Sequence, residues 1–221
     1  IIEQVKQQGD RALLELSERF DGFRPDPLCL WREDLARAWK ACPSDLRSAL
    51  ELAHRRILDF HQRQKPSDLE VTGVHGERLG RRWRPVARAG LYVPGGRASY
   101  PSTVLMNAVP ARVAGVKRVV MVTPPGPQGQ PDPTVLAAAH LAGVEEVYRV
   151  GGAQAIAALA YGTESIPRVD VISGPGNLYV TLAKKAVYGQ VAIDSLAGPS
   201  EVLVIADHSA DPDHIAADLL A

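Results

Sequence analysis

Residues 146–161 read Glu146-Val147-Tyr148-Arg149-Val150-Gly151-Gly152-Ala153-Gln154-Ala155-Ile156-Ala157-Ala158-Leu159-Ala160-Tyr161. A short, mainly apolar run meets a pair of glycines, and a helical pattern follows at 153–161. The same rhythm extends outward in both directions. Upstream lie Leu91-Tyr92-Val93, a helix over 101–114, a strand from Arg118 to Val122 and a helix over 133–142. Downstream lie a strand from Val169 to Ile172, a helix over 177–187, a strand from Val202 to Ile205 and a last helical pattern. Strands alternating with helices of about ten residues require crossover connections, hence a largely parallel sheet. Pro110 inside 101–114 predicts a kink or an early end there, because proline cannot donate to the helical ladder.

Before Gly90 the pattern differs. Ile2, Val5, Leu13, Leu16 and Phe20 fall near helical spacing and stop at Asp21-Gly22. A short strand at Leu28-Cys29-Leu30 precedes a helix from Glu33 to Lys40, and Pro43-Ser44-Asp45 opens a long helix that stops before Pro66. Extended character then returns, with a turn at His75-Gly76 and an arginine-rich return strand. The expected fold class is α/β. Residues 1–66 form a helical N-terminal arm, 67–90 a β-hairpin, and 91–221 a largely parallel, incomplete Rossmann-like domain with crossover helices. A second α/β unit is expected to start near 201. The chain opens at Ile1-Ile2 without an initiator methionine and closes at Ala221 in mid-pattern, without a helix stop signal. A piece of a longer chain, truncated at its C-terminus, is therefore expected.

Composition narrows the function classes. Apolar residues make up 46% and charged residues 23%, an ordinary globular balance, and 25 basic residues match 25 acidic ones. No net field favours nucleic acid or a membrane surface. The local cluster Arg78-Leu79-Gly80-Arg81-Arg82-Trp83-Arg84 fits a phosphate contact or, better, a solvated edge strand defended by charge. No apolar run approaches the ~20 residues of a membrane span, and no signal peptide opens the chain, so a cytoplasmic protein is expected. Cys29 and Cys42 lack metal or redox spacing and read as small packing residues.

Ligands of open parallel sheets collect beyond the carboxyl ends of the strands. Four glycine-bearing corners are expected at that edge: Tyr92-Val93-Pro94-Gly95-Gly96, Gly151-Gly152-Ala153-Gln154, Gly174-Pro175-Gly176-Asn177 and Ala197-Gly198-Pro199-Ser200. Glycine lets the backbone approach a ligand, and a following helix N-terminus favours anionic groups. None matches the GxGxxG fingerprint. Any one corner also reads simply as a turn, but four of them at one edge point to a site. The run Pro124-Pro125-Gly126-Pro127-Gln128-Gly129-Gln130-Pro131 reads as a surface loop without identifiable chemistry. The six histidines form no close pair with metal-ligand geometry, so no metal ligand is assigned. No nucleophile elbow or reactive cysteine setting occurs, and no catalytic residue is assigned.

The corners and their flanks resemble the histidinol dehydrogenase family. The resemblance is carried by Gly90-Leu91-Tyr92-Val93-Pro94-Gly95-Gly96, Tyr100-Pro101-Ser102-Thr103-Val104-Leu105-Met106, the run 150–164, Gly174-Pro175-Gly176-Asn177 and the run from Ile193 to Leu203. Gly9-Asp10-Arg11-Ala12-Leu13 and Phe60-His61-Gln62-Arg63-Gln64 agree more weakly. The resemblance implies an NAD-dependent, zinc-containing alcohol dehydrogenase that oxidises L-histidinol to L-histidine in two hydride transfers, in histidine biosynthesis. It implies that Tyr92, Gln154 and Asn177 contact NAD, that Ser200 contacts substrate, and that the full-length protein is a homodimer. Asn177 as a helix cap and Ser200 as a turn residue remain open alternatives. The family's zinc ligands, beginning in a Gln-Ala-Glu-His run, and its Glu-His general base are not found in these residues. The chain alone is therefore expected to be inactive. A relative oxidising another alcohol, or a non-catalytic nucleotide-binding module, are the competing readings.

Overall fold

Alternation along the parallel strands divides the apolar core into two layers, one on each face of the sheet. The structure, a computed structural model, describes residues 1–95, 99–126, 128–197 and 201–220. In chain order the elements begin with α1 (Ile2–Gln8), α2 (Asp10–Asp21), β1 (Cys29–Trp31), α3 (Arg32–Ala41) and α4 (Ser44–Gln64). The hairpin strands β2 (Leu69–Thr72) and β3 (Arg78–Arg81) follow. Then come β4 (Arg88–Tyr92), α5 (Pro101–Ala114), β5 (Arg118–Val122), α6 (Pro133–Leu141) and β6 (Glu146–Tyr148). The remaining elements are α7 (Gly152–Tyr161), β7 (Val171–Ser173), α8 (Leu178–Val187), β8 (Ala192–Ile193) and α9 (Pro212–Leu220).

The main sheet has the order β1-β6-β5-β4-β7-β8. All its pairs are parallel except β1 with β6. From β4 the chain winds outward through β5 to β6, then returns to add β7 and β8 on the other side. The winding reverses beside β4, and the crevice beyond the carboxyl ends of β4 and β7 is the topological switch point of a doubly wound sheet. Leu91, Val119, Met121 and Val147 face a layer built with Val104, Leu105 and Ala108 of α5 and Val135 of α6. Their neighbours Tyr92, Val120, Val122 and Tyr148 face the opposite layer, with Ile156 and Leu159 of α7 and Val180 of α8. Each fully buried aliphatic side chain contributes about 1.5–3 kcal/mol, so a one-residue slip of any strand would exchange both layers and is strongly opposed.

Several expectations need correction. Residues 1–66 do not stand apart as an arm. Their β1 pairs with β6 (Cys29↔Tyr148, Leu30↔Val147), and Val5, Leu13 and Leu16 are buried in the α7–α8 layer. The first helical pattern is two helices, broken at Gly9 with φ 56°. There the Glu164 carboxylate accepts a hydrogen bond from the Asp10 N–H at 2.8 Å, and a Cβ on Gly9 would collide with that carboxylate. Helix α5 runs through Pro110 to Ala114 without an early end. The carbonyl that Pro110 leaves without its helical partner belongs to Met106, which is 64% exposed and open to water. No strand forms over 202–205: Leu203 and Ile205 are 86% and 91% exposed, and without a described neighbour strand the apolar run has nothing to pair with. The second α/β unit expected near 201 is thus represented only by α9, whose residues include none that is buried.

The hairpin pairs in the register Leu69↔Arg81 to Thr72↔Arg78, and all eight strand residues are exposed. Its arginines are partly neutralised locally: Arg78 donates to Glu70, Arg84 donates to Asp68, and Arg81 lies over the Trp83 ring. Among the described residues no helix is long and apolar enough to cross a membrane.

Neighbouring corners at the switch point meet without room for a methyl group. Gly174 has φ 121°, and a Cβ there would lie 2.0 Å from the Tyr92 carbonyl oxygen. Gly22, also at positive φ, faces open space. Replacing Gly22 with alanine should therefore cost about 1 kcal/mol of strain, whereas Gly174→Ala should cost about 3 kcal/mol or more. Urea denaturation of the two variants side by side checks this ordering, and equal losses would contradict the close approach.

Candidate functional site

Tyr92 ends β4 at the switch point and is only 4% exposed, because its ring packs into the layer beneath α7 and α8. Its hydroxyl accepts a hydrogen bond from the Gly152 N–H at 3.1 Å, joining the end of β4 to the start of α7. Burial pushes the Tyr92 phenol above its ordinary range; the Gly152 N–H opposes the shift, and the nearby Asp21 carboxylate adds to it. Tyr92 is therefore a neutral phenol near neutrality.

The corners after β4, β5 and β6 interlock around one proline. A Cβ on Gly95 would lie 2.7 Å from Pro124 Cγ, and one on Gly151 would lie 2.6 Å from Pro124 Cβ. Gly152 adopts φ 64°, which turns the chain into α7 and sets Gln154 in its first turn. Gln154 is 2% exposed. On the far side of β4, Asn177 caps α8 through Oδ1, which accepts from the Val180 N–H at 3.1 Å. The structural alternative for Asn177 is thus realised, and its NH2 group donates to none of the described residues.

These elements enclose a cavity of about 560 Å³. Tyr92, Gln154 and Asn177 all line it, together with Ile1, Phe20, Asp21, Pro94, Gly95, Pro124, Pro125, Gly152, Ala153 and Tyr179. The structure brings three of the four expected site residues together; Ser200, with Gly198 and Pro199, lies outside the described residues, as does Gly96. The proline-rich loop, expected to carry no chemistry, supplies Pro124 and Pro125 to the wall. Phe20 and Asp21 were missed because Asp21-Gly22 reads in sequence as a helix end, which it also is. Crowding at the cavity raises the Asp21 carboxyl above its ordinary value through lost hydration.

A half-buried ion pair holds the Asn177 corner. Lys184 of α8 donates through Nζ to the Gly174 carbonyl at 3.0 Å and pairs with Asp194 Oδ1. Asp194 Oδ2 accepts from the Gly174 N–H at 2.8 Å, so both polar backbone groups of Gly174 are satisfied by one pair. Ser173 donates through Oγ to Asn107 Oδ1, which ties the same corner to α5. Among the described residues, no cluster of three or more His, Cys, Asp or Glu side chains is arranged to hold a metal ion.

Comparison with known proteins places this geometry in context. The family model for histidinol dehydrogenase matches residues 1–221. The chain belongs to the histidinol dehydrogenase family. It is 71% identical to histidinol dehydrogenase of Parasynechococcus marenigrum (strain WH8102), over all of this chain and 51% of that protein. It is also 71% identical to that of Prochlorococcus marinus (strain MIT 9313), over all of this chain and 50% of that protein. The crystal structure of histidinol dehydrogenase from Elizabethkingia anophelis matches 99% of this chain and 51% of its own, with 40% identity and a TM-score of 0.90. The chain spans about half the length of the curated relatives it matches.

The two sides of the Lys184–Asp194 pair should not be equivalent. The Lys184 side chain is 6% exposed and cannot reach water if its partner is neutralised, whereas the Asp194 side chain is 32% exposed and can. Asp194→Asn should cost about 3 kcal/mol by stranding a buried charge, and Lys184→Met about 1–2 kcal/mol by losing hydrogen bonds. Chemical denaturation of both variants tests the order, which a reversed ranking would refute.

Proposed function

We propose that this chain forms the dinucleotide-binding part of an enzyme that oxidises L-histidinol to L-histidine with NAD. The observation that carries the proposal is the convergence of Tyr92, Gln154 and Asn177 on one cavity at the switch point of a chain that belongs to this family. The cavity suits the ligand. Its volume falls within the range of about 300–1,000 Å³ of small-molecule sites. Its walls offer the apolar faces of Pro94, Pro124, Pro125 and Tyr179 with a few polar groups between them. Helices α7 and α8 both start at its rim, where their amide donors and positive dipole ends favour a pyrophosphate.

In this reading NAD, when bound, supplies the hydride acceptor for alcohol oxidation. Tyr92 offers a fixed, neutral aromatic wall. The nearly buried Gln154 carboxamide meets polar groups of the ligand. The Asn177 NH2 donates from the opposite corner while its oxygen holds α8 in place. Ser200 contacts the substrate, as the family resemblance implies. The same resemblance implies that the whole protein is a homodimer that requires zinc, and a cytoplasmic location is proposed with it. The described residues do not fit a zinc site, so no step of the mechanism passes through the metal here.

Alcohol oxidation also needs a proton acceptor close to the reacting carbon. Asp21, with its raised carboxyl, and the neutral Tyr92 are the titratable side chains whose shifts mark the cavity. Tyr92 is already occupied by Gly152, and neither matches the family's general base. Residues 1–221 alone are therefore inactive in this reading.

Two measurements test the proposal. The chain of residues 1–221, given L-histidinol, NAD and zinc, should form no NADH above background; turnover at ordinary enzyme rates would overturn the assignment of roles. In a full-length histidinol dehydrogenase containing these residues, Gln154→Ala should weaken NAD binding about tenfold, the equivalent of one hydrogen bond. Histidinol affinity should change little, and an unaltered NAD affinity would remove Gln154 from the site.

A further inference from the structure

Dinucleotide sites in doubly wound sheets usually place an acidic side chain at the end of the second strand, where it accepts hydrogen bonds from the ribose hydroxyls. Here the second strand of the wound series is β5, next to β4. It ends at Val122 and runs into Thr123-Pro124-Pro125, with no acidic residue before Asp132. Asp132 is committed elsewhere: its carboxylate caps α6 through the Thr134 N–H at 2.7 Å. The expected acid is therefore missing from the strand, and prolines occupy its place at the cavity wall.

An acid reaches the cavity from a different element. Asp21 is the last residue of α2 and lines the cavity beside Phe20, Tyr92 and Pro124. Among the described lining residues it is the sole charged side chain. Arg24, three residues on, pairs with Glu18 and does not line the cavity. Asp21 also sits at the carboxyl end of its helix, where the partial negative charge of the helix end adds to its own. This region of the wall thus repels anions, whereas the starts of α7 and α8 attract them.

We propose that Asp21 determines the coenzyme preference of the site, accepting hydrogen bonds from the free hydroxyls of a ribose and rejecting a ribose that carries a 2′-phosphate. The inference rests on the reading of the cavity as a dinucleotide site. A carboxylate accepts from a diol but has nothing to donate to a phosphate, and the two like charges repel at short range. Among the described lining residues no side chain carries a positive charge to offset that repulsion. The acid on α2 thereby performs the role that the strand end leaves vacant.

The test uses a full-length histidinol dehydrogenase containing these residues, with NAD and NADP titrated calorimetrically against the unmodified protein, Asp21→Asn and Asp21→Glu. The unmodified protein should bind NAD at least 100-fold more tightly than NADP. Asp21→Asn should lower that ratio at least tenfold, and Asp21→Glu should retain most of it. Melting temperatures establish that each variant is folded. If the unmodified protein binds neither nucleotide, the dinucleotide reading itself fails. If it binds NAD but the Asp21→Asn ratio is unchanged, or a folded Asp21→Asn loses both nucleotides equally, Asp21 does not set the preference and the proposal is overturned.

Discussion

The contact between Gly174 and the Tyr92 carbonyl is the constraint on which the cavity depends. Parallel strands β4 and β7 lie side by side, and their chains must separate beyond the sheet to leave a crevice. At Gly174 the backbone passes so close to Tyr92 that a methyl group would have to displace it by more than an ångström, to ordinary contact distance. Asn177 follows three residues later and α8 starts at once, so any shift at Gly174 moves a wall of the cavity as well. Gly90 acts similarly within the sheet, where a Cβ would press on Val169 and Leu159 at about 3 Å. Small residues here set the distance between the two halves of the sheet.

Closeness alone would leave the corner with unpaired backbone groups. The Lys184–Asp194 pair resolves this by giving Gly174 both a donor and an acceptor from side chains. Burying a lysine is costly, and its attraction to one carboxylate seldom repays the lost hydration. Here the ammonium also satisfies a carbonyl that the turn cannot pair within the sheet, and an apolar replacement would leave that carbonyl stranded. Because Asp194 follows β8 directly, the pair fixes the start of the segment that leads toward Ser200.

Much of this was legible in the sequence wherever one residue's neighbours along the chain decide its conformation. Helices α4 and α5 and strand β5 were readable from apolar spacing with prolines or glycines at their ends. Tyr92, Gln154 and Asn177 were readable because each sits on a glycine corner that resembles a family motif. What escaped was set by residues distant in sequence. The break at Gly9 depends on Glu164, and β1 depends on β6 for its partner. Strand β8 has only two residues and shows no period. The run Val202–Ile205 carries a strand's composition, but a strand needs a neighbour to satisfy its backbone, and the described residues offer none. Asp21 and Pro124 belong to the cavity only because α2 and the β5 corner converge on it in space.

The donors left at the two helix starts show how an anionic ligand would be read. In α7 the Gly152 N–H is taken by the Tyr92 hydroxyl and the Ala155 N–H by the Gly151 carbonyl. In α8 the Val180 N–H is taken by Asn177 Oδ1 and the Thr181 N–H by the Asn177 carbonyl. The first-turn amides still without a described partner are those of Ala153 and Gln154 on one helix and Leu178 and Tyr179 on the other. Three of these four residues line the cavity. A bridging diphosphate has two anionic units joined by one oxygen, and amides from two separate helix starts would each meet one of them. In the proposed reading two helix starts share the phosphates, and no GxGxxG turn is required. Where two helices share the phosphates, neither corner has to wrap them alone, so each requires only the glycines that its own turn and its neighbour's approach demand.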